Sequence, residues 1–206
     1  MEVKAENPVG LLGDQSYTPV ITAYFDLCHL KQLYRQGWLR RGVPRERCES
    51  IAEHSFGVAL LALWLAEAQP GLDGIKVLSM ALLHDLGEVY AGDIIPSDGM
   101  SEAEKHRREA EAVRRILSPL ADGQGLLEVW DEFEAGESPE ARFVRQIDRL
   151  EMGLQAAIYR LQGLIDGDEF FASARQALSD PGLRALLDEI QAVARPGDIE
   201  ENEKND

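Results

Sequence analysis

Cysteine is scarce in this chain: 206 residues contain only two, Cys28 and Cys48. That argues against a disulfide framework and makes a reducing cytoplasm the expected compartment. Positive charge is also in short supply, with 21 Lys and Arg against 37 Asp and Glu and a formal net charge of −16. A nucleic-acid polymer is therefore not an expected partner, because its phosphate backbone would be repelled. A small anionic substrate stays open, since a local basic cluster or a metal overrides the global field within a pocket. No apolar run approaches the ~20 residues needed to cross a bilayer, so no membrane partner is expected. The opening stretch, Met1 to Asn7, lacks the apolar core of a signal peptide. Alternating strand patterns and internal repeats are missing as well.

What is present is helical periodicity and enough apolar content, 45%, for one well-buried domain. Residues 1–17 are mixed in character and are expected to be loosely ordered. The domain proper is expected over 18–195. Residues 196–206 read as an acidic, disordered tail, with five acidic residues between Asp198 and Asp206. Thr18-Pro19 opens a helix whose apolar residues keep helical spacing as far as a stop at Gly37. Ser50-Ile51-Ala52-Glu53 is a capping box starting a helix to about Ala68. A further helix is expected from Ile75 to Leu86, with Gly87 as its C-terminal cap. Residues 89–100 read as a loop. Ser101 to Glu104 opens a charged helix that stops before Pro119. A short helix is expected over Leu126–Phe133, a long one from Ser138-Pro139 to about Leu161, and a last one from Asp180-Pro181 to before Pro196. The fold class is all-α, with short loops and antiparallel neighbours.

The chemistry-bearing residues fall on three of these helices. His54 shares an inward stripe with Val58, Leu61 and Leu65. His84 and Asp85 end an apolar run, Ala81-Leu82-Leu83-His84-Asp85-Leu86-Gly87-Glu88. Asp148 lies on the long helix. Burying such groups unpaired is costly, and a cation is a common way to satisfy them. Two imidazoles and two carboxylates form a mixed N/O set for one divalent metal, open to water in the manner of a hydrolytic site. Each residue taken singly has a plainer role: His54 as a satisfied core histidine, Asp148 as the partner of a neighbouring arginine.

The order His54, His84-Asp85, Asp148 resembles the HD-domain metal-dependent phosphohydrolase superfamily. Glu53-His54-Ser55, Leu83-His84-Asp85-Leu86-Gly87-Glu88, Gly92-Asp93-Ile94, Glu104-Lys105-His106-Arg107-Arg108-Glu109 and Phe143-Val144-Arg145-Gln146-Ile147-Asp148 are similar to its 5′-deoxynucleotidase branch, over about residues 18–190. The resemblance implies a single HD-domain helical bundle. It implies that His54, His84, Asp85 and Asp148 hold one divalent cation, with cobalt, manganese or another divalent transition metal as candidates. It implies that Glu88 acts on the attacking water and that Asp93 lies near the sugar and the catalytic centre. The implied reaction is hydrolysis of a 2′-deoxyribonucleoside 5′-monophosphate to deoxynucleoside and phosphate, by a homodimer.

Arg35, Trp38, Arg40 and Arg41 form an aromatic-basic group suited to phosphate and to sugar or base, with Trp38 as a steric gauge against a 2′-hydroxyl. Surface charge plus a core tryptophan is the alternative. The family's bacterial branch sets an arginine directly before the tryptophan, whereas Gln36-Gly37 intervene here, so the phosphate-reaching arginine stays open. Lys105 and Arg108 are a second basic pair that can offset phosphate or simply take part in helix salt bridges. Two other functions remain in view: an HD phosphohydrolase acting on a triphosphate, cyclic nucleotide or alarmone, and a non-catalytic, metal-stabilised helical interaction protein.

Overall fold

The computed structural model describes residues 1–95 and 98–194. Its regular elements are helical, as the all-α expectation has it. Among the described residues β pairing is limited to isolated bridges between Val3 and Leu33 and between Tyr34 and Ser50. By contact density the chain divides into two units, Met1–Val144 and Arg145–Asp206. The expected acidic tail, 196–206, lies outside the described residues.

In the first unit the helix opened by Pro19 ends earlier than its periodicity suggests. α1 covers Pro19–Leu27 and passes into a 3₁₀ turn, Cys28–Lys31. After a turn at Gln32 the chain extends over Leu33 and Tyr34, which pair with Val3 and Ser50. A separate short helix, α2 (Gln36–Arg40), follows. The first seventeen residues make defined contacts. They include a 3₁₀ turn at Pro8–Leu12, and Lys4 N–H donates to Gln32 O at 2.6 Å. Glu2 N–H donates to Gln36 Oε1 at 2.9 Å, and Gln36 Nε2 returns a bond to Glu2 O at 2.8 Å. A side-chain amide that satisfies an extended backbone leaves no periodic trace in sequence.

α3 (Ile51–Ala66) starts at the expected capping box, with Ser50 and Glu53 each bonding the other's backbone N–H. α4 (Gly74–Leu83) is capped by Asp73. It stops three residues short of the expected Leu86, and Gly87 is not a left-handed cap, since its φ is −59°. Instead the chain tightens into 3₁₀-type bonds, Leu86 N–H to Leu83 O and Glu88 N–H to Asp85 O. It re-forms as the one-turn α5 (Glu88–Ala91), where a loop was expected. α6 (Glu102–Leu117) and α7 (Gly123–Ala135) complete the layer, the latter ended by Gly136 at φ 69°. α3 packs on α4, α4 and α6 on α7, and α5 on α6. Their shared core includes Leu30, Ile51, Leu86, Val89, Val113, Ile116 and Trp130. Its apolar residues seat the turn between α4 and α5 against α6.

α8 (Pro139–Leu161) begins at the expected proline and spans the unit boundary. In the second unit it is followed by α9 (Asp168–Ala177), which the sequence reading does not anticipate, and by α10 (Pro181–Val193), which it does. Gln146 Oε1 accepts from Ser179 N–H and Asp180 N–H at 2.7 and 2.8 Å, tying α8 to the start of α10. Gly153 admits Leu187, whose Cδ1 lies 2.6 Å from where a Cβ would stand.

Candidate metal centre

The packing of α3 on α4 brings His54 and His84 together. Their ring centroids are 5.5 Å apart and their planes cross at 67°. Both rings are buried. His54 Nε2 lies 3.7 Å, and His84 Nε2 3.2 Å, from Asp85 Oδ2. One donor atom from each of His54, His84 and Asp85 falls within 4.8 Å of the others. The tightened turn after α4 makes this possible. Adjacent residues on a regular helix diverge by ~100°, whereas here His84 and Asp85 aim at one point.

The proton positions explain why the point wants a cation. His84 Nδ1 lies 2.8 Å from Ala81 O, and a carbonyl only accepts, so Nδ1 carries the hydrogen. The Nε2 lone pair then faces a carboxylate oxygen. Two acceptors at 3.2 Å are reconciled only by a proton or a metal between them. Asp85 Oδ2 and Glu88 Oε2 are buried and make no hydrogen bond among the described residues. Neutral imidazole and carboxylate are the donors that divalent transition ions take, so the residues present fit such an ion.

Charges around the centre are sharply divided. Burial works against the Asp85 carboxylate, but His84 and His54, when protonated, and Arg35 outweigh it and hold the group well below the usual carboxylate range. Glu88 goes the other way: burial first, then Asp85 and Asp93, push it well above that range. Asp93 is raised by burial, against the pull of Arg35 and of a Gln36 backbone N–H at 2.5 Å. Lys105 is the opposite case. Burial favours its neutral form, but Glu109, Glu88 and Asp85 overcome that and keep it charged. Glu109, 3.5 Å from Lys105 Nζ, is pushed up to about 7 by burial, which Lys105 opposes and the like charge of Glu134 reinforces.

The cations expected from the sequence therefore separate. Arg35 Nη1 lies 3.7 Å from Asp85 Oδ2, and Lys105 stands among the same carboxylates. Arg40, on the surface, pairs with Asp98, and Arg108 pairs with Glu104 at 2.7 Å, the helix salt bridge that was its alternative. Arg41 caps the exposed end of α2. Trp38 is 2% exposed and donates Nε1–H to Glu49 Oε1 at 2.7 Å, the core placement that was the alternative to its substrate-binding role. Asp148 lies on α8 in the second unit, with Oδ2 3.6 Å from Arg149 Nε. Gln36 and Glu109 escaped the sequence reading. Glu109 closes the quoted Glu104–Glu109 run, and only its burial distinguishes it from its solvated neighbours.

A helical fold with a histidine-aspartate dyad facing a second histidine defines the HD-domain class. The HD-domain family model matches residues 27–186, and the chain belongs to that family. It is 35% identical over 173 residues to the human 5′-deoxynucleotidase HDDC2, an alignment covering 79% of this chain and 80% of that one. A crystal structure of a Pyrococcus horikoshii protein aligns with TM-score 0.69 and 35% identity over 85% of this chain and 98% of that one. A predicted metal-dependent phosphohydrolase from Magnetospirillum magnetotacticum aligns with TM-score 0.62 and 28% identity over 84% and 92%.

Proposed function

We propose that the protein is a 5′-deoxynucleotidase, hydrolysing 2′-deoxyribonucleoside 5′-monophosphates to deoxynucleoside and phosphate. One observation carries the reading: His54, His84 and Asp85 present donors within 4.8 Å of one another, with the unbonded Oε2 of buried Glu88 on the same turn. The names of its relatives supply the substrate class.

His54, His84, Asp85 and Asp148 hold the divalent ion in this reading, with cobalt and manganese as the first candidates. Asp148 enters on the family resemblance. When bound, such an ion polarises the phosphoryl group and acidifies water. Arg35 and Lys105 offset the charge of the phosphate, as their place among the site carboxylates supports. Glu88 takes the proton of the attacking water, and its burial suits a carboxyl meant to exchange protons rather than to bear a fixed charge. Water attacks phosphorus in line with the departing 5′-oxygen. Asp93, fixed by the Gln36 N–H, faces the sugar side. The same reading includes a cytoplasmic enzyme and a homodimer. Phe56, Leu63 and Trp64 form an exposed apolar face on α3 that a second copy would cover.

A panel of nucleotides assayed with Mn²⁺ or Co²⁺ tests the proposal. Phosphate should appear from deoxynucleoside monophosphates. Release only from ribonucleotides, triphosphates or cyclic diesters would reject it.

A further inference from the structure

The segment carrying Glu88 and Asp93 is helical for only four residues, Glu88–Ala91. So short a helix cannot hold itself, because nearly all of its backbone groups are terminal and nucleation is costly. Its position is imposed from outside. His29 Nδ1 lies 2.7 Å from Val89 O, and since a carbonyl only accepts, the ring nitrogen donates. Tyr90 Oη donates to Asp26, which is buried. Burial and Asp26 push the phenol up to about 12, so it keeps its proton. Arg115 closes over the Tyr90 ring, 4.1 Å from its centroid. Asp26 and His29 both belong to the stretch formed by α1 and its 3₁₀ extension, so one stretch grips two successive residues just after Glu88.

We propose that His29 and Asp26 are positioning residues: by fixing Val89 and Tyr90 they aim the Glu88 carboxyl at the reacting water. The proposal rests on the water-activating reading of Glu88. Neither residue is placed against substrate or among the ligands. Their effect is geometric, and a displacement of ~1 Å in a reacting group costs up to roughly 100-fold in rate.

The test uses His29→Ala, His29→Asn and Tyr90→Phe in the full-length, metal-loaded protein, with dAMP as substrate. His29→Asn keeps a donor near the Nδ1 position, and Tyr90→Phe removes only the hydroxyl. The expected result is a fall in kcat of about tenfold or more for His29→Ala and Tyr90→Phe. KM should stay within about twofold and bound metal unchanged, with His29→Asn recovering most of the loss. Amide exchange over residues 88–93 should quicken in the two impaired variants and not in His29→Asn. An unchanged kcat overturns the proposal, as does unchanged exchange over 88–93, or metal content falling in step with rate. A wild-type protein inactive on dAMP and on the other 2′-deoxyribonucleoside 5′-monophosphates would refute the proposed activity instead. The exchange data would then judge the tether by themselves, quickened exchange supporting it and unchanged exchange removing it.

Discussion

A methyl group on Gly87 would stand 2.6 Å from Glu109 Cβ and 2.8 Å from Glu109 Cα. The turn that carries the histidine-aspartate dyad is thus in backbone contact with the helix that carries Lys105. Gly87→Ala should push α6 away, because the obstructing atoms are not the flexible end of a side chain. Overpacking of this kind costs about 1–3 kcal/mol. Chemical denaturation should register that loss, and kcat/KM for dAMP should fall by more than the fraction unfolded explains.

Glu88 should be separable from the metal ligands. Glu88→Ala removes a buried carboxyl that Asp85 and Asp93 oppose, so stability should hold while turnover drops by about 100-fold or more. Elemental analysis should find as much metal as in the wild type. Surviving activity would reassign the water-activating role.

Removing the ion should cost stability as well as activity. Without a cation, His84 Nε2 and Asp85 Oδ2, 3.2 Å apart, must take up a proton between them to be satisfied. Treatment with chelator should abolish phosphate release and lower Tm, and Mn²⁺ or Co²⁺ should restore both, with Tm rising as ion concentration exceeds Kd. His54→Ala should leave Tm insensitive to added ion.

Glu109 should leave a mark on the pH dependence of stability. Burial raises its folded pKa to about 7, against an unfolded value of about 4.3. The folded state therefore holds this proton more tightly. Its contribution is complete below the unfolded pKa and is lost as pH rises through about 7. Glu109→Gln should flatten the decline between about pH 4.5 and 7 and make the protein more stable than wild type at pH 8. Denaturation curves at pH 5 and 8 measure the difference.

The two cysteines should differ in reactivity. Burial, followed by Glu49, raises the Cys48 thiol to about 12, whereas Cys28 is half-buried. The thiolate is the reacting form, so at pH 8 Cys48 should resist a disulfide reagent that modifies Cys28. Unfolding in denaturant should release it. Rapid labelling of both in the native protein would contradict this.

The sequence carried the local information well. Ser50 with Glu53, Asp180 with Pro181 and Pro139 mark helix starts because caps and proline act within one turn of the chain. The stripe through His54 and Val58 fixed which way the histidine faces, since a 3.6-residue period is a property of the segment itself. The same reasoning failed where another part of the chain decides the outcome. α1 ends at Leu27 because Leu33 and Tyr34 pair elsewhere, and α4 ends at Leu83 where the turn packs on α6.

Within the site, the residue types were legible and their commitments were not. Composition showed basic residues before the His54 helix, but only packing distinguishes Arg35, beside Asp85, from Arg40, bound to Asp98. It also buried Trp38 against Glu49. Sequence by itself determined where most helices start and which way His54 faces, products of hydrogen bonds and periodicity over a few residues. Tertiary structure decided that two imidazoles and a carboxylate meet at one point. Their donors lie thirty residues apart along the chain, and only the packing of α3 on α4 closes that gap.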